Sequence, residues 1–143
     1  MRKRTLAREW ALKILYQTEM TTRSIDSVAE TFWADEGPKD QEIIEFCKRL
    51  VGGVHENLKA IDEKISQYAT NWQLKRMAVI DRNILRLGVF ELHYAPDIPP
   101  KVTINEAVNL AKKFSQLESG KFVNGVLDKI CHTHAAKKSA LNE

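Results

Sequence analysis

Few groups in this 143-residue chain could do chemistry, and their neighbours restrict what each can do. Cys131-His132-Thr133-His134 is the cluster with metal-ligand residue types. A zinc site takes four ligands at matched spacings. A second pair would have to come from the distant Cys47, His55 or His93, so no metal is expected. Nucleophilic catalysis needs a nucleophile, a base and an orienting group, and the sequence nominates no such set. Phosphate-cradling glycine loops of the Walker or GxGxxG type are absent. The neighbouring carboxylates Asp35 and Glu36 lie in a polar arm, where solvation is their ordinary state. The expectation is a protein without catalysis and without cofactor.

Two segments carry binding chemistry instead. Arg2, Lys3, Arg4 and Arg8 form a basic entry to a helix, with Arg4 and Arg8 one turn apart. Guanidinium groups grip phosphate bidentately, and neutralising a phosphate releases counterions. The alternative for this cluster is a solvated helix start that only aids solubility. The second segment is Glu118-Ser119-Gly120-Lys121-Phe122-Val123-Asn124-Gly125. A loop entering a helix offers free N–H groups to an anion, Lys121 adds charge, and an exposed Phe122 could stack on an unpaired base. Against that, Phe122 with Val126 fits a core position, and Ser119 fits a helix N-cap. Glu91, a carboxylate between Phe90 and Leu92, either pairs internally or faces a partner. Trp10, Trp33 and Trp72 share no spacing that makes a stacking platform.

The elements that must position these residues are helices. Apolar residues recur at three and four throughout, and no alternating strand pattern of useful length occurs. Ala7, Ala11, Ile14 and Leu15 stripe a first helix from Arg4 to about Met20. A second, short helix follows from Ile25 to about Phe32, and Gly37-Pro38 breaks the chain. Ile43, Ile44, Cys47, Leu50 and Val51 face a third helix that Gly52-Gly53 closes, and Val54 to Tyr68 reads as a fourth. Met77 to Tyr94 is the strongest helix, apolar over a broad face as a central element is. Pro96, Pro99 and Pro100 end it, and Thr103-Ile104-Asn105-Glu106 fits a capping box opening the sixth. A break near Leu117 to Gly120 precedes a last helix to about Cys131. Gly125 there reads as a close-approach point. The fold class is therefore all-α, about seven helices forming one domain over 1–143. Its helical subdomains are approximately 1–70 and 71–134, divided near Asn71-Trp72 or at the prolines, and 135–143 is expected to be a frayed tail.

Composition agrees. Hydrophobic residues make up 43% and charged residues 29%, which suits a globular chain. No apolar run reaches the roughly 18 residues of a membrane span. Arg8, Glu9 and Lys13 interrupt any signal-peptide core, so a cytoplasmic location without membrane attachment is expected. Cys47 and Cys131 are expected as reduced, packed thiols. Net charge is only +3, but residues 2–13 hold five cations against one anion, and residues 26–45 hold seven anions against one cation. Such asymmetry suits a polyanion binder with one defined face.

Several motifs occur in a specific order: Ala7-Arg8-Glu9, Leu15-Tyr16, Asp81-Arg82-Asn83-Ile84-Leu85-Arg86-Leu87, Phe90-Glu91-Leu92, Asp97-Ile98-Pro99, Ile104-Asn105-Glu106-Ala107 and Lys121 to Lys129. This succession closely resembles the NusB family over nearly the whole chain, from about Arg4 to Ile130. The resemblance implies an all-helical bacterial transcription antitermination factor built from two helical subdomains. It would bind single-stranded boxA-type nascent RNA together with NusE, a small-subunit ribosomal protein. With other Nus factors it would join the RNA polymerase antitermination complex, notably on ribosomal RNA operons. By position, the resemblance assigns RNA contacts to Arg4 and Arg8, more loosely to Arg2 and Lys3, and also to Glu118, Ser119, Lys121 and Phe122. It assigns the NusE face to Tyr16, Asp81 and, more weakly, Glu91. Relatives occur as monomers and as homodimers. The competing functions are a protein-only helical scaffold and an accessory RNA-binding domain acting with an enzyme that modifies ribosomal RNA.

Overall fold

The computed structural model describes residues 2–69 and 73–142. Among them are seven α-helices, and no residue is in a strand: α1 (Lys3–Met20), α2 (Ile25–Thr31), α3 (Gln41–Glu56), α4 (Leu58–Tyr68), α5 (Val79–Tyr94), α6 (Pro100–Phe114) and α7 (Ser119–Asn142). None of these helices is long and apolar enough to cross a membrane. The all-α expectation holds, element for element. The chain divides into two compact units after Glu56. Sequence reading puts a division near Asn71-Trp72, but Thr70, Asn71 and Trp72 lie outside the described residues. The boundary falls earlier because α4 packs on α5 and α7.

In the first unit, α1 lies along α3 with α2 against α1. Ala7, Ala11, Ile14 and Leu15 meet Phe46, Cys47, Leu50, Val51 and Val54 in a buried core. Cys47 is fully buried, and loss of solvation pushes its thiol up to about 12. The short α2 begins at Ser24, whose hydroxyl accepts from the Ser27 N–H at 3.2 Å. It runs directly into a π turn, Phe32–Glu36, with Phe32 edge-on to Trp10 at 5.5 Å between centroids. Gly37 ends that turn by donating its N–H to the Phe32 carbonyl, and a side chain at Gly37 would run into that oxygen. The Lys39 ammonium donates to the Trp33 carbonyl at 3.1 Å. Asp40 then caps α3, accepting from the N–H groups of Glu42 (2.9 Å) and Ile43 (3.3 Å).

Gly52-Gly53 does not close α3, which continues to Glu56. An internal glycine costs a helix only about 1 kcal/mol, and burying Leu50, Val51 and Val54 outweighs it.

In the second unit α5 is central, packed against α4, α6 and α7. Ile84, Leu85, Leu87 and Val89 are buried along it. Polar side chains fasten each neighbour. Arg86 grips Asp62 of α4 bidentately, Nε to Oδ1 at 2.8 Å and Nη2 to Oδ2 at 3.0 Å. Its third nitrogen donates to Asn83 Oδ1 at 3.1 Å, and Asn83 donates to the Val79 carbonyl at 2.9 Å. Arg82 donates to the carbonyls of Leu74 (2.9 Å) and Met77 (3.2 Å), fixing the 3-10 turn Leu74–Arg76 that leads into α5.

Helix α6 starts at Pro100, the favoured first position for proline. Thr103 is consequently inside the helix, and the expected capping box does not form. Its hydroxyl donates instead to Glu91 Oε1 on α5 at 2.8 Å. The close-approach glycine is likewise misplaced by sequence reading. A Cβ at Gly125 would meet nothing within 4 Å, whereas one at Gly88 would sit 2.7 Å from Leu127 Cδ1. Gly88 is thus what lets α5 lie tight on α7. The backbone of α7 remains helical to Asn142 rather than fraying after residue 134. Alanine, lysine and leucine in that stretch are strong helix formers.

Candidate functional site

The first unit displays cations on the opening turn of α1. Arg2, Lys3 and Arg4 are exposed. Lys3 reaches Asp40 at 3.1 Å and Glu42 at 3.5 Å. The hydrogen bond and charge of Asp40 hold the Lys3 ammonium above its ordinary pKa, and Lys3 in turn holds the Asp40 carboxyl below its own. The Arg4 guanidinium lies 4.4 Å from the centroid of Phe46, with Arg49 at 5.9 Å and Arg8 at 5.3 Å from the same ring. The negative face of an aromatic ring attracts such cations, so Phe46 gathers three arginines around one point.

Arg8 differs from Arg4 in a decisive respect, being only 2% exposed. It is an internal cation and not a displayed one. Tyr16, on the same helix, is 37% exposed and available to a partner.

In the second unit the residues near 120 converge with the start of α5. Ser115 donates to Asp81 Oδ1 at 2.6 Å and Ser119 to Asp81 Oδ2 at 3.0 Å, with the two hydroxyls 3.0 Å apart. One carboxylate therefore holds the end of α6 and the beginning of α7 against α5. Beside it is a cleft of about 350 Å³ lined by Met77, Ala78, Asp81, Ser115, Gln116, Glu118, Ser119 and Phe122. Phe122 is half-buried, between the two alternatives the sequence leaves open. Ser119 is 6% exposed with its hydroxyl engaged on Asp81, so it positions a corner.

Lys121 is exposed and points to a different groove of about 660 Å³ between α6 and α7, shared with Lys101, Lys112, Asn105, Asn124 and Glu118. Leu117, 87% exposed, stands at its edge. Glu91 is buried as well. It is 2% exposed and accepts from Thr103, so it joins α5 to α6, where the sequence leaves open an internal pair or a partner face.

Sequence reading missed Phe46, Arg49, Ser115, Lys101 and Lys112. The Phe46–Arg49 pair has a usable signal, since residues three apart share a helix face. Ser115 has none, because its role depends on a carboxylate 34 residues away. Among the described residues, no three histidines, cysteines or carboxylates are placed to hold a metal ion. The His134 side chain lies outside those described.

These features define an all-helical protein that displays cations on its first helix and ties its internal carboxylates between helices. A family model, the NusB family, matches residues 5–132. The chain belongs to the NusB family. It is 48% identical to the transcription antitermination protein NusB of Anaeromyxobacter dehalogenans, over 90% of this chain and 89% of the relative. It is 47% identical to that of Myxococcus xanthus, over 89% and 93%. Among solved structures, T. maritima NusB matches with a TM-score of 0.84 at 38% identity, covering 96% of both chains. A crystal structure of the antitermination factors NusB and NusE in complex with dsRNA matches at 0.85 and 30% identity, covering 93% of this chain and 98% of that one.

Proposed function

We propose that this chain acts in transcription antitermination as a non-enzymatic factor that binds boxA-type RNA together with NusE. The exposed basic opening of α1 is the observation that carries the reading. Arg2, Lys3 and Arg4 stand in solvent with Arg4 braced on Phe46, in a chain of the family whose relatives bear the antitermination name. A guanidinium resting on a ring keeps its planar donors oriented, which lowers the entropy lost on gripping a phosphate.

Lys121, Glu118 and the half-buried Phe122 form a second candidate RNA contact. Lys121 supplies charge, and the half-buried Phe122 supplies an aromatic ring for a base to stack on. Tyr16 and Asp81 are the candidate NusE contacts. For Asp81 the bonds to Ser115 and Ser119 fix the carboxylate in one orientation, as a recognition group requires.

The test is fluorescence anisotropy of a labelled boxA-type single-stranded RNA titrated with the protein, with and without NusE, at two salt concentrations. Binding should weaken steeply as salt rises and tighten when NusE is present. RNA affinity absent under all four conditions would overturn this function and favour a protein-only scaffold.

A further inference from the structure

Within the first unit, α2 and α3 enclose a groove of about 460 Å³ that the RNA-binding reading leaves unused. Ile25, Ala29, Trp33, Val51 and Gly52 line it, and Asp26, Glu30 and Glu56 stand at its rim with Lys48 and His55. Gly52 is the informative residue. It lies in the interior of α3, where a glycine is less stable than an alanine. Helical glycines usually persist because a neighbour needs the space, as Leu127 does at Gly88. A Cβ at Gly52 would meet nothing within 4 Å. Among the described residues no contact requires position 52 to lack a side chain, yet that lack deepens the groove beside Trp33.

We infer that this groove docks a basic, amphipathic helical segment of a partner protein, with one apolar side chain seated over Gly52 against Trp33 and cations facing Asp26, Glu30 and Glu56. Charge decides the occupant. The rim holds three carboxylates against Lys48 and His55, a balance that repels a nucleic-acid backbone and attracts lysine and arginine. The chain's own basic opening is a poorer occupant from a second copy. Its cations Arg2, Lys3 and Arg4 are consecutive, with no apolar side chain among them to seat over Gly52. Trp33, half-buried with its backbone carbonyl fixed by Lys39, offers a rigid aromatic anchor.

The probe is a synthetic amphipathic helix of leucine and lysine, titrated into the ¹⁵N-labelled protein. A leucine–glutamate helix of the same pattern is the control. The basic helix should shift the Gly52 amide and the Trp33 indole signals, and the acidic one should leave them in place. Gly52→Met fills the groove and should weaken binding by roughly tenfold or more, the loss expected when a seat for one apolar side chain closes. Replacing Asp26 and Glu30 together by lysine should do the same, with the thermal melt unchanged. Gly52→Ala should raise the melting temperature, because it removes a helix-interior glycine without a clash.

A lower melting temperature for Gly52→Ala would assign the glycine to internal packing and overturn the inference. So would a basic helix that binds the wild type and both variants alike, or Gly52 and Trp33 signals that shift with RNA or with protein concentration alone. Affinity for boxA RNA is read separately by anisotropy, so the two proposals fail separately.

Discussion

The two units use the same polar side chains to opposite ends. Around Phe46 the arginines rest on a ring, and Arg4 keeps its far side in solvent. Around α5 they fasten helices together: Arg86 is bidentate on Asp62, and Glu91 accepts from Thr103. A cation on an aromatic face is attracted without a directional bond to the ring, whereas one gripped by a carboxylate is fixed through its own hydrogen bonds. Residue type alone therefore does not mark a binding surface. What marks it is whether the positioned charge reaches solvent, as Arg4 does and Arg8 does not.

The largest effect should come from removing the ring itself. Phe46→Ala empties a buried site and should cost about 3–5 kcal/mol of stability, measured by urea denaturation. A loss below about 1 kcal/mol would mean that the arginines are not organised by that ring. Arg86→Ala comes next. It leaves Asp62, at 24% side-chain exposure, without its bidentate partner. About 3 kcal/mol should be lost, the lower range for breaking a largely buried pair. RNA affinity per folded molecule should not change, and a change would join the α5 network to the RNA surface.

Arg4 and Arg8 sharpen the contrast within one helix. Arg4→Glu should reduce RNA affinity and lower the magnitude of the logarithmic salt slope by about 1, with stability held within about 0.5 kcal/mol. Arg8→Glu should instead destabilise the fold, visible as a lowered melt by circular dichroism. The reverse pattern would place Arg8 on the surface and Arg4 in the core.

The smallest effect concerns Lys3 and Asp40. Asp40 is held below its ordinary value of 3.8, so its contribution is present above that pH and lost as pH falls through the lowered value. Lys3 is held above 10.5, so its contribution is present below that pH and lost as pH rises through the raised value. Lys3→Gln should lower the melting temperature slightly and evenly between about pH 5 and pH 9, with the gap closing at both extremes. A gap that changes across the neutral range would exclude this pair as its source.

Helix type and order were readable from the sequence because apolar spacing of three and four reports burial directly, as in α1 and α5. The boundaries were less legible where a local signal competed with packing. Gly52-Gly53 resembles a stop, but flanking buried residues carry α3 past it. Thr103 to Glu106 resembles a start, but Pro100 has already begun the helix and Glu91 claims the threonine hydroxyl. The candidate site divides in the same way. The exposed residues Arg4 and Lys121 were legible by charge and family resemblance. Arg8, Ser119 and Glu91 look equally polar in the sequence. Their burial is decided by packing, and for Ser119 and Glu91 the bonding partners lie on other helices.

The contact of Gly88 with Leu127 carries a historical consequence. With 2.7 Å between a notional Cβ at 88 and a Leu127 methyl, the two positions form a single volume shared by two codons. A side chain can be gained at 88 only if one is shortened at 127, and the order of the two changes matters. Shortening first leaves a cavity that the fold can survive, while enlarging first forces the helices apart. Descendants of this sequence can therefore exchange bulk between the helices along one path more readily than along the other.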